Sequence, residues 1–477
     1  MRPPAGRPVA DDHTRRLAAF ASALTLADVP RAVVDHARLC LLDTIGCGLF
    51  GSTLPWSRIL AACVGELEPA GPSRLWGLAS TASPASAALV NGTMVHGFEL
   101  DDLHRRAIVH PGAVVPTAAL ALAEFLGRCS GARFLTAVIA GYEVAARVGM
   151  AVGAAHLLAG WHPTGTHGAL GAAAACGSLL GLAPGPLQHA LGIAGTQAGG
   201  LMASQFGAMV KRFHAGRAAQ SGVYAGLLAR RGFTGILPLF ESEYGGYLTT
   251  FSPRSDPAQL TAGLGETWET RAVGFKPYAA NGSCHTSIDV LLEMRRQHRF
   301  GGDDVERVRV RTSSATREHV GWPYRPDSVT TAQMNLPYIA AATLTDGAAF
   351  VDQFTEARIR DERLVALASR VDVTADPGID ARGDASRHAV AVEVVLKDGR
   401  VLRDTRDSAR GSAASPLSRG EIEAKYATLA GRALPGARVA RVQELVYGVD
   451  ALEDVGVLAA ELALGPEGCE GGGRAWS

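Results

Sequence analysis

From about residue 15 to residue 270 the sequence repeats one pattern: apolar positions at helical spacing, with almost no strand-like alternation. Runs at 15–27, 30–49, 84–98, 113–126, 132–150, 166–182, 185–199 and 214–231 all carry it, and Pro111, Pro163 and Pro184–Gly185 mark the joints. Such a stretch folds as helix packed on helix. The 56 glycines and the many alanines allow close crossings, so small residues are expected at most contacts. The predicted fold class is therefore mainly α.

The pattern breaks after residue 270. Val305–Thr312 alternates apolar and charged residues, as a half-buried strand does. Residues 388–404 read as a hairpin turning at Lys397-Asp398-Gly399. Helical stretches at 286–297 and 332–346 lie between them. Helical spacing returns at 418–433 and 449–464, after the small, polar segment 406–415. A chain of 477 residues exceeds the roughly 250–300 residues that one core supports. The expected organisation is a helical part over 1–271, a smaller α/β (α+β) unit over 272–410, and a C-terminal return over 411–477. The Gly-rich tail from Gly465 is expected to fray.

Lys and Arg together number 46, as do Asp and Glu. That balance supplies no electrostatic case for nucleic acid or an anionic membrane. None of the seven cysteines forms a C-x-x-C pair, so no metal centre or iron–sulfur cluster is expected. The polar N-terminus has no apolar leader core, and the longest apolar stretch, Gly168–Leu182, is too short to span a bilayer. The chain is expected to be cytoplasmic.

Four stretches carry titratable groups. Asn91–Gly112 (NGTMVHGFELDDLHRRAIVHPG) gathers Glu99, Asp101 and Asp102 with His96, His104 and His110 in a loop punctuated at both ends. A solvated acidic loop is the plain reading; a general acid and base set apart by their surroundings is the other. In Gly160–Gly168 (GWHPTGTHG), His162 stands at the mouth of an Ala-rich helix whose free N–H groups suit a carboxylate, while Thr164 or Thr166 equally reads as an ordinary N-cap. In Ala208–Gln220 (AMVKRFHAGRAAQ), Lys211, Arg212, His214 and Arg217 interrupt an apolar neighbourhood, as an anion clamp would. Phe275–Asp289 (FKPYAANGSCHTSID) places His285 at a helix start, beside a Cys284 expected to be a buried, inert thiol. Glu143 and Arg147 read as a structural i,i+4 pair.

Taken with LLDTIGCGLFGS at 41–52, GYEVAARVG at 141–149 and LPYIAAATLTDG at 336–347, these motifs stand in an order and spacing that resemble the MmgE/PrpD family across roughly residues 15–460. The resemblance implies a large helical domain with a smaller inserted α/β lid, a homodimer without metal or organic cofactor, and proton movement or loss of carbon dioxide next to a carboxylate. By position it carries over Glu99, His110, His162, Lys211 and His285 as active-site residues, with Asp101, Asp102 and His214 beside them. Leu103 stands where the family usually has Thr, and Tyr324 is the nearest candidate for an aromatic hydroxyl from the lid, with Trp322 its competitor.

The expected function is cofactor-free lyase chemistry on a small di- or tricarboxylate, with dehydration of a 2-methylcitrate-like hydroxy acid favoured. Alternatives are a cis-aconitate-type decarboxylase, an epimerase of substituted succinates, and a non-catalytic polycarboxylate-binding protein. Glu99, Asp101, His110, His162, Lys211 and His285 are the expected catalytic set, and Asp102, Arg212, His214, Arg217 and Tyr324 the expected substrate contacts.

Overall fold

The computed structural model describes residues 12–383 and 386–464; the tail expected to fray lies outside them. Nine helices of the first half are α1 (His13–Ala23), α2 (Arg31–Gly51), α3 (Pro55–Leu67), α4 (Pro84–Val95), α5 (Val115–Leu126), α6 (Gly131–Leu158), α7 (Pro163–Leu179), α8 (Pro184–Gly195) and α9 (Val210–Arg230). The mainly α expectation holds. Four of the nine start on a proline at the first helical position (α3, α4, α7 and α8), where its missing N–H leaves no bond unmade.

Close packing among α4, α6, α7 and α9 forms the centre of the helical part. Small residues make it possible. A Cβ on Gly216 of α9 would lie 2.0 Å from the Leu89 carbonyl of α4, and one on Gly141 of α6 would lie 2.7 Å from the Gly171 carbonyl of α7. The helix α6 kinks at Gly153 (φ +58°), close to the predicted end at 150, and a further segment runs on to Leu158; by length and composition the whole is apolar enough to cross a membrane. Its apolar window is buried entirely against neighbouring helices.

The predicted strand and hairpin both form. Strands Val371–Ala375, Val305–Thr312, Val390–Leu396 and Val401–Arg406 lie in that order in one sheet. The first pair is parallel and the other two are antiparallel. Gly399 closes the hairpin with φ +89°, a conformation its missing side chain permits. Helices His285–His298 and Leu336–Asp346 pack on this sheet. The strand at 371–375 was not predicted; five residues leave too little alternation to recognise.

The last helices return to the first ones. Arg419–Ala430 packs on α2, where Lys425 pairs with Asp43 at 2.6 Å and donates to the Leu100 carbonyl at 2.5 Å. The helix Gly436–Tyr447 also forms, which the sequence pattern did not single out.

Candidate active site

The stretch after α4 builds the site by turning sharply twice. A 3-10 turn over His96–Phe98 ends at Glu99, whose φ of +56° is left-handed. That conformation is costly for a side-chain-bearing residue. It returns the Glu99 carboxylate towards the first turn of α9, where Lys211 and Arg212 both bond Oε1. Cations at a helix N-terminus oppose the helix dipole, so a carboxylate there is doubly favourable. Leu103–His104 then pairs antiparallel with Val273–Gly274. This pairing delivers Lys276, whose Nζ reaches Glu99 Oε2 at 3.1 Å. Glu99, Lys211, Arg212 and Lys276 are all buried.

Burial works against the charge on Glu99, but Lys211, Lys276 and Arg212 together outweigh it and hold its carboxyl well below the usual range. Burial pulls Lys211 down to about 8, against the attraction of Glu99. Arg212 extends to Gln333 Oε1 at 2.8 Å, and Gln333 in turn donates to the Phe98 and Ala279 carbonyls. The amide thereby fixes the guanidinium relative to Glu99.

Four imidazoles form the neighbouring cluster. His96 and His110 have ring centroids 4.9 Å apart, His96 and His162 5.4 Å, and His162 and His214 5.1 Å. His96 Nδ1 lies 2.7 Å from Asp101 Oδ2. His110 Nδ1 lies 2.7 Å from the Asp102 carbonyl, so it donates and leaves Nε2 as the acceptor. Its backbone N–H bonds Thr164 Oγ1 at 3.2 Å. His162 and His214 meet Nδ1 to Nδ1 at 3.0 Å. Burial pushes His110 down to about 3 and His214 to about 4, and burial with the charge of Lys211 puts His162 well below the imidazole range. All are neutral near pH 7. Burial opposes the charge of Asp101 too, but His110 and His96 overcome it and keep the carboxylate ionised.

Among the described residues, His96, Asp101 and His110 have the spacing of metal ligands, their atoms lying within 4.8 Å of one another. Both Nδ1 atoms are already engaged, with Asp101 and with the Asp102 carbonyl. His96 Nε2 and Asp101 Oδ1 are buried without a hydrogen-bond partner among the described residues.

These groups face a cavity of about 250 Å³. Glu99, His110, His162, Lys211 and Lys276 line it from the 96–110 stretch, α7, α9 and the 273–276 strand end. Asn281, Ser283, His319, Arg387 and His388 also line it.

Several expected residues lie elsewhere. Asp102 is sealed between helices, accepting from Gly112 N–H at 2.9 Å and Tyr142 Oη at 2.8 Å. Burial and the nearby Asp43 push its carboxyl well up, and it does not line the cavity. His285 is fully buried behind Asn281–Ser283, with Nε2 3.0 Å from the Ala280 carbonyl; it does not line the cavity. Arg217 turns to Gln220, because six residues along a helix rotate it away from Lys211. Tyr324 donates to the Ile359 carbonyl at 2.8 Å and stacks near Tyr338, so it does not reach the cavity. Glu143 and Arg147 do pair, at 3.4 Å, and Cys284 is buried with its thiol pushed up by desolvation. Thr164 and Thr166 make no N-cap bond; Thr166 instead meets His156 Nε2 at 2.8 Å.

Lys276 was missed although its motif was noted. One lysine in FKPYAANG gives no periodic signal, and strand pairing alone reveals its partner. Gln333, His319 and His388 are lone polar residues with no local pattern at all.

The MmgE/PrpD N-terminal domain matches residues 15–259, and the MmgE/PrpD C-terminal domain matches residues 278–450. The cis-aconitate decarboxylase-like protein oryM of Aspergillus oryzae is 35% identical over 467 residues, covering 94% of this chain and 96% of its own. The cis-aconitate decarboxylase of Aspergillus terreus is 33% identical over 465 residues, covering 93% and 94%. The 2-methylcitrate dehydratase of Escherichia coli is 24% identical over 393 residues, covering 77% and 79%.

Proposed function

The chain belongs to the MmgE/PrpD family, and from that premise we propose that it is a lyase that decarboxylates an unsaturated polycarboxylate of the cis-aconitate type. This replaces dehydration as the preferred reading. The relatives at 33–35% identity over nearly the whole chain bear decarboxylase names, whereas the dehydratase is more distant and matches less of it.

The observation that carries the reading is the protonation state of the acids. Dehydration needs an acid to protonate the departing hydroxyl. Glu99 and Asp101 are both held ionised, and Asp102, whose carboxyl burial pushes up, is sealed away from the cavity. Decarboxylation needs no such acid before the bond breaks. It needs a cationic clamp for the carboxylates that stay and an apolar surface around the one that leaves.

In the proposed step the carbon–carbon bond to one carboxylate breaks and carbon dioxide departs. The electron pair moves through the adjacent double bond to the carbon next to a retained carboxylate, forming an enediolate. Lys211 and Lys276 stabilise that charge. A histidine–lysine proton carrier then protonates the carbon, so one C–C bond is exchanged for one C–H bond without any redox partner. His110 and His162, neutral in the free site, gain proton affinity when the anionic substrate enters beside them. We read 272–410 as the unit that closes over the substrate, since Lys276, His319 and His388 reach the cavity from it.

Proton NMR in heavy water tests the reading, with cis-aconitate, 2-methylcitrate, citrate and chiral substituted succinates each incubated separately. The expected result is an unsaturated product one carboxylate shorter, carrying one deuterium next to a carboxylate. A vinyl signal arising from a hydroxy acid would restore dehydration, and stereochemical scrambling of a succinate would indicate epimerisation.

A further inference from the structure

A second cavity, of about 280 Å³, adjoins the first; Ala154, Arg387 and His388 line both. The loop after Leu103–His104 gives it Arg105 and Arg106, and the segment before the 390–396 strand gives it Arg387 and His388. The kink of α6 at Gly153 forms part of the wall, where an added Cβ would meet nothing within 4 Å. The acid in this lining, Asp407, pairs with Arg382 at 2.7 Å.

The positive charge of this cavity is not spent within the protein. Arg105 donates Nη1 to the Gly282 carbonyl at 3.3 Å, and Arg106 donates to Gln259 Oε1 at 3.4 Å; both acceptors are neutral. Neither arginine forms an ion pair among the described residues, and Asp289 and Glu269 act on them at longer range. Arg387 donates Nη2 to the Arg105 carbonyl at 2.8 Å, which holds the two residues side by side. Burial and the neighbouring Arg387 charge lower Arg105 to about 10, so it stays charged at neutral pH. Arg387 Nε also donates to His388 Nε2 at 3.0 Å. Burial, with the charges of Arg387 and Arg105, keeps the His388 ring neutral. A neutral ring that accepts at Nε2 carries its proton on Nδ1. That Nδ1 is a buried donor without a hydrogen-bond partner among the described residues. Such a donor is costly to leave unmet, and a ligand oxygen would satisfy it.

We propose that this cavity is a second anion site, separate from the Glu99–Lys211–Lys276 cavity, and that it takes a phosphate group, free or at the end of a small monoester. Arg105 and Arg106 bind its oxygens, and His388 Nδ1 donates to another. A phosphate suits this lining better than a carboxylate, because it brings about two negative charges and a third acceptor oxygen to two arginines and a further N–H donor. Its binding is felt in the first cavity, since Arg387 and His388 belong to both walls. Anions in the two cavities repel each other and compete for the same two side chains. Phosphate therefore weakens substrate binding, and substrate weakens phosphate binding by the same factor. The site is independent of which bond is broken in the first cavity.

Calorimetry of the full chain with inorganic phosphate, and separately with glycerol 3-phosphate, reads binding without turnover. Saturable binding is expected, and the tighter of the two probes tells whether the free ion or an ester is the natural occupant. Arg106→Glu, at an exposed position outside the first cavity, is expected to weaken phosphate binding at least about tenfold and to leave phosphate-free kinetics unchanged. Lys211→Ala is expected to retain phosphate binding. Loss of binding in Lys211→Ala with none in Arg106→Glu would put the phosphate in the first cavity and overturn the proposal, as would no binding at millimolar phosphate. In turnover, phosphate is expected to raise the KM for cis-aconitate to a plateau at least about fivefold above its starting value, and Arg106→Glu to abolish the rise. A KM that climbs without limit is competition at the first cavity and overturns the proposal; a KM unmoved by saturating phosphate overturns the coupling. If cis-aconitate releases no carbon dioxide, the decarboxylase reading fails, and calorimetry on the two variants still decides the second site.

Discussion

Two buried acid–base clusters lie on either side of the 96–112 stretch, and they are built from the same residue types. In one, Glu99 meets Lys211, Arg212 and Lys276 at the wall of a cavity. In the other, Asp43 meets Lys425, and Asp102 meets Tyr142 and Gly112, none of them lining that cavity. The first has three cations around a single carboxylate, so positive charge is left over and turned towards the space a ligand enters. The second has one cation for two carboxylates, and burial with the neighbouring Asp43 pushes the Asp102 carboxyl well up. Burial alone therefore does not identify a functional ion pair; an unbalanced charge facing an accessible volume does.

The comparison breaks most readily at Lys425. Lys425→Met leaves Asp43 buried without its partner and is expected to lower stability by about 3–5 kcal/mol, measured by urea unfolding. Turnover of the folded protein should fall far less than in any variant of the cavity cluster. Lys211→Ala is the converse case. It is expected to lose at least about a hundredfold in kcat, in line with removal of one preorganised charge-stabilising group, while the unfolding midpoint moves little. A large drop in stability with near-normal kcat would assign Lys211 to the structural class.

A pH profile sharpens the distinction. Burial lowers Lys211 to about 8 in the free protein, so it loses its charge as pH rises through that value. The kcat/KM profile should therefore fall about tenfold per pH unit above about 8. Bound anionic substrate raises the same pKa, so the limb in kcat should lie higher. Lys211→Arg should remove the limb from kcat/KM, because a guanidinium stays charged. The smallest effect is expected on the sealed side. Tyr142→Phe deletes one of the two hydrogen bonds to Asp102 and should cost about 1 kcal/mol of stability with kcat unchanged.

Much of this arrangement was legible in the sequence, for physical reasons that differ from residue to residue. The helices announced themselves through apolar spacing, and the 390–406 hairpin through its Asp-Gly turn. Lys211 stood out because a basic run interrupted apolar surroundings, Glu99 and His110 because they sat in a loop punctuated at both ends, His162 because it stood at a helix mouth, and the family resemblance carried over the same four positions. What stayed hidden depends on contacts distant in sequence. Lys276 joins Glu99 through a two-residue strand pairing, and Gln333 reaches Arg212 across 121 positions. The left-handed turn at Ile108 carries no glycine or asparagine to signal it. Arg217 is the opposite case, since helical periodicity alone places it away from Lys211.

The central claim is that charge left over at Glu99–Lys211–Lys276 drives loss of a carboxylate. The most direct test is to follow carbon dioxide from cis-aconitate labelled with 13C in its carboxyl groups, in wild type and in Lys211→Ala. One equivalent of labelled carbon dioxide per molecule consumed is predicted, at a rate at least about a hundredfold lower in the variant. Consumption of substrate without labelled carbon dioxide, or equal rates in the two proteins, would contradict it.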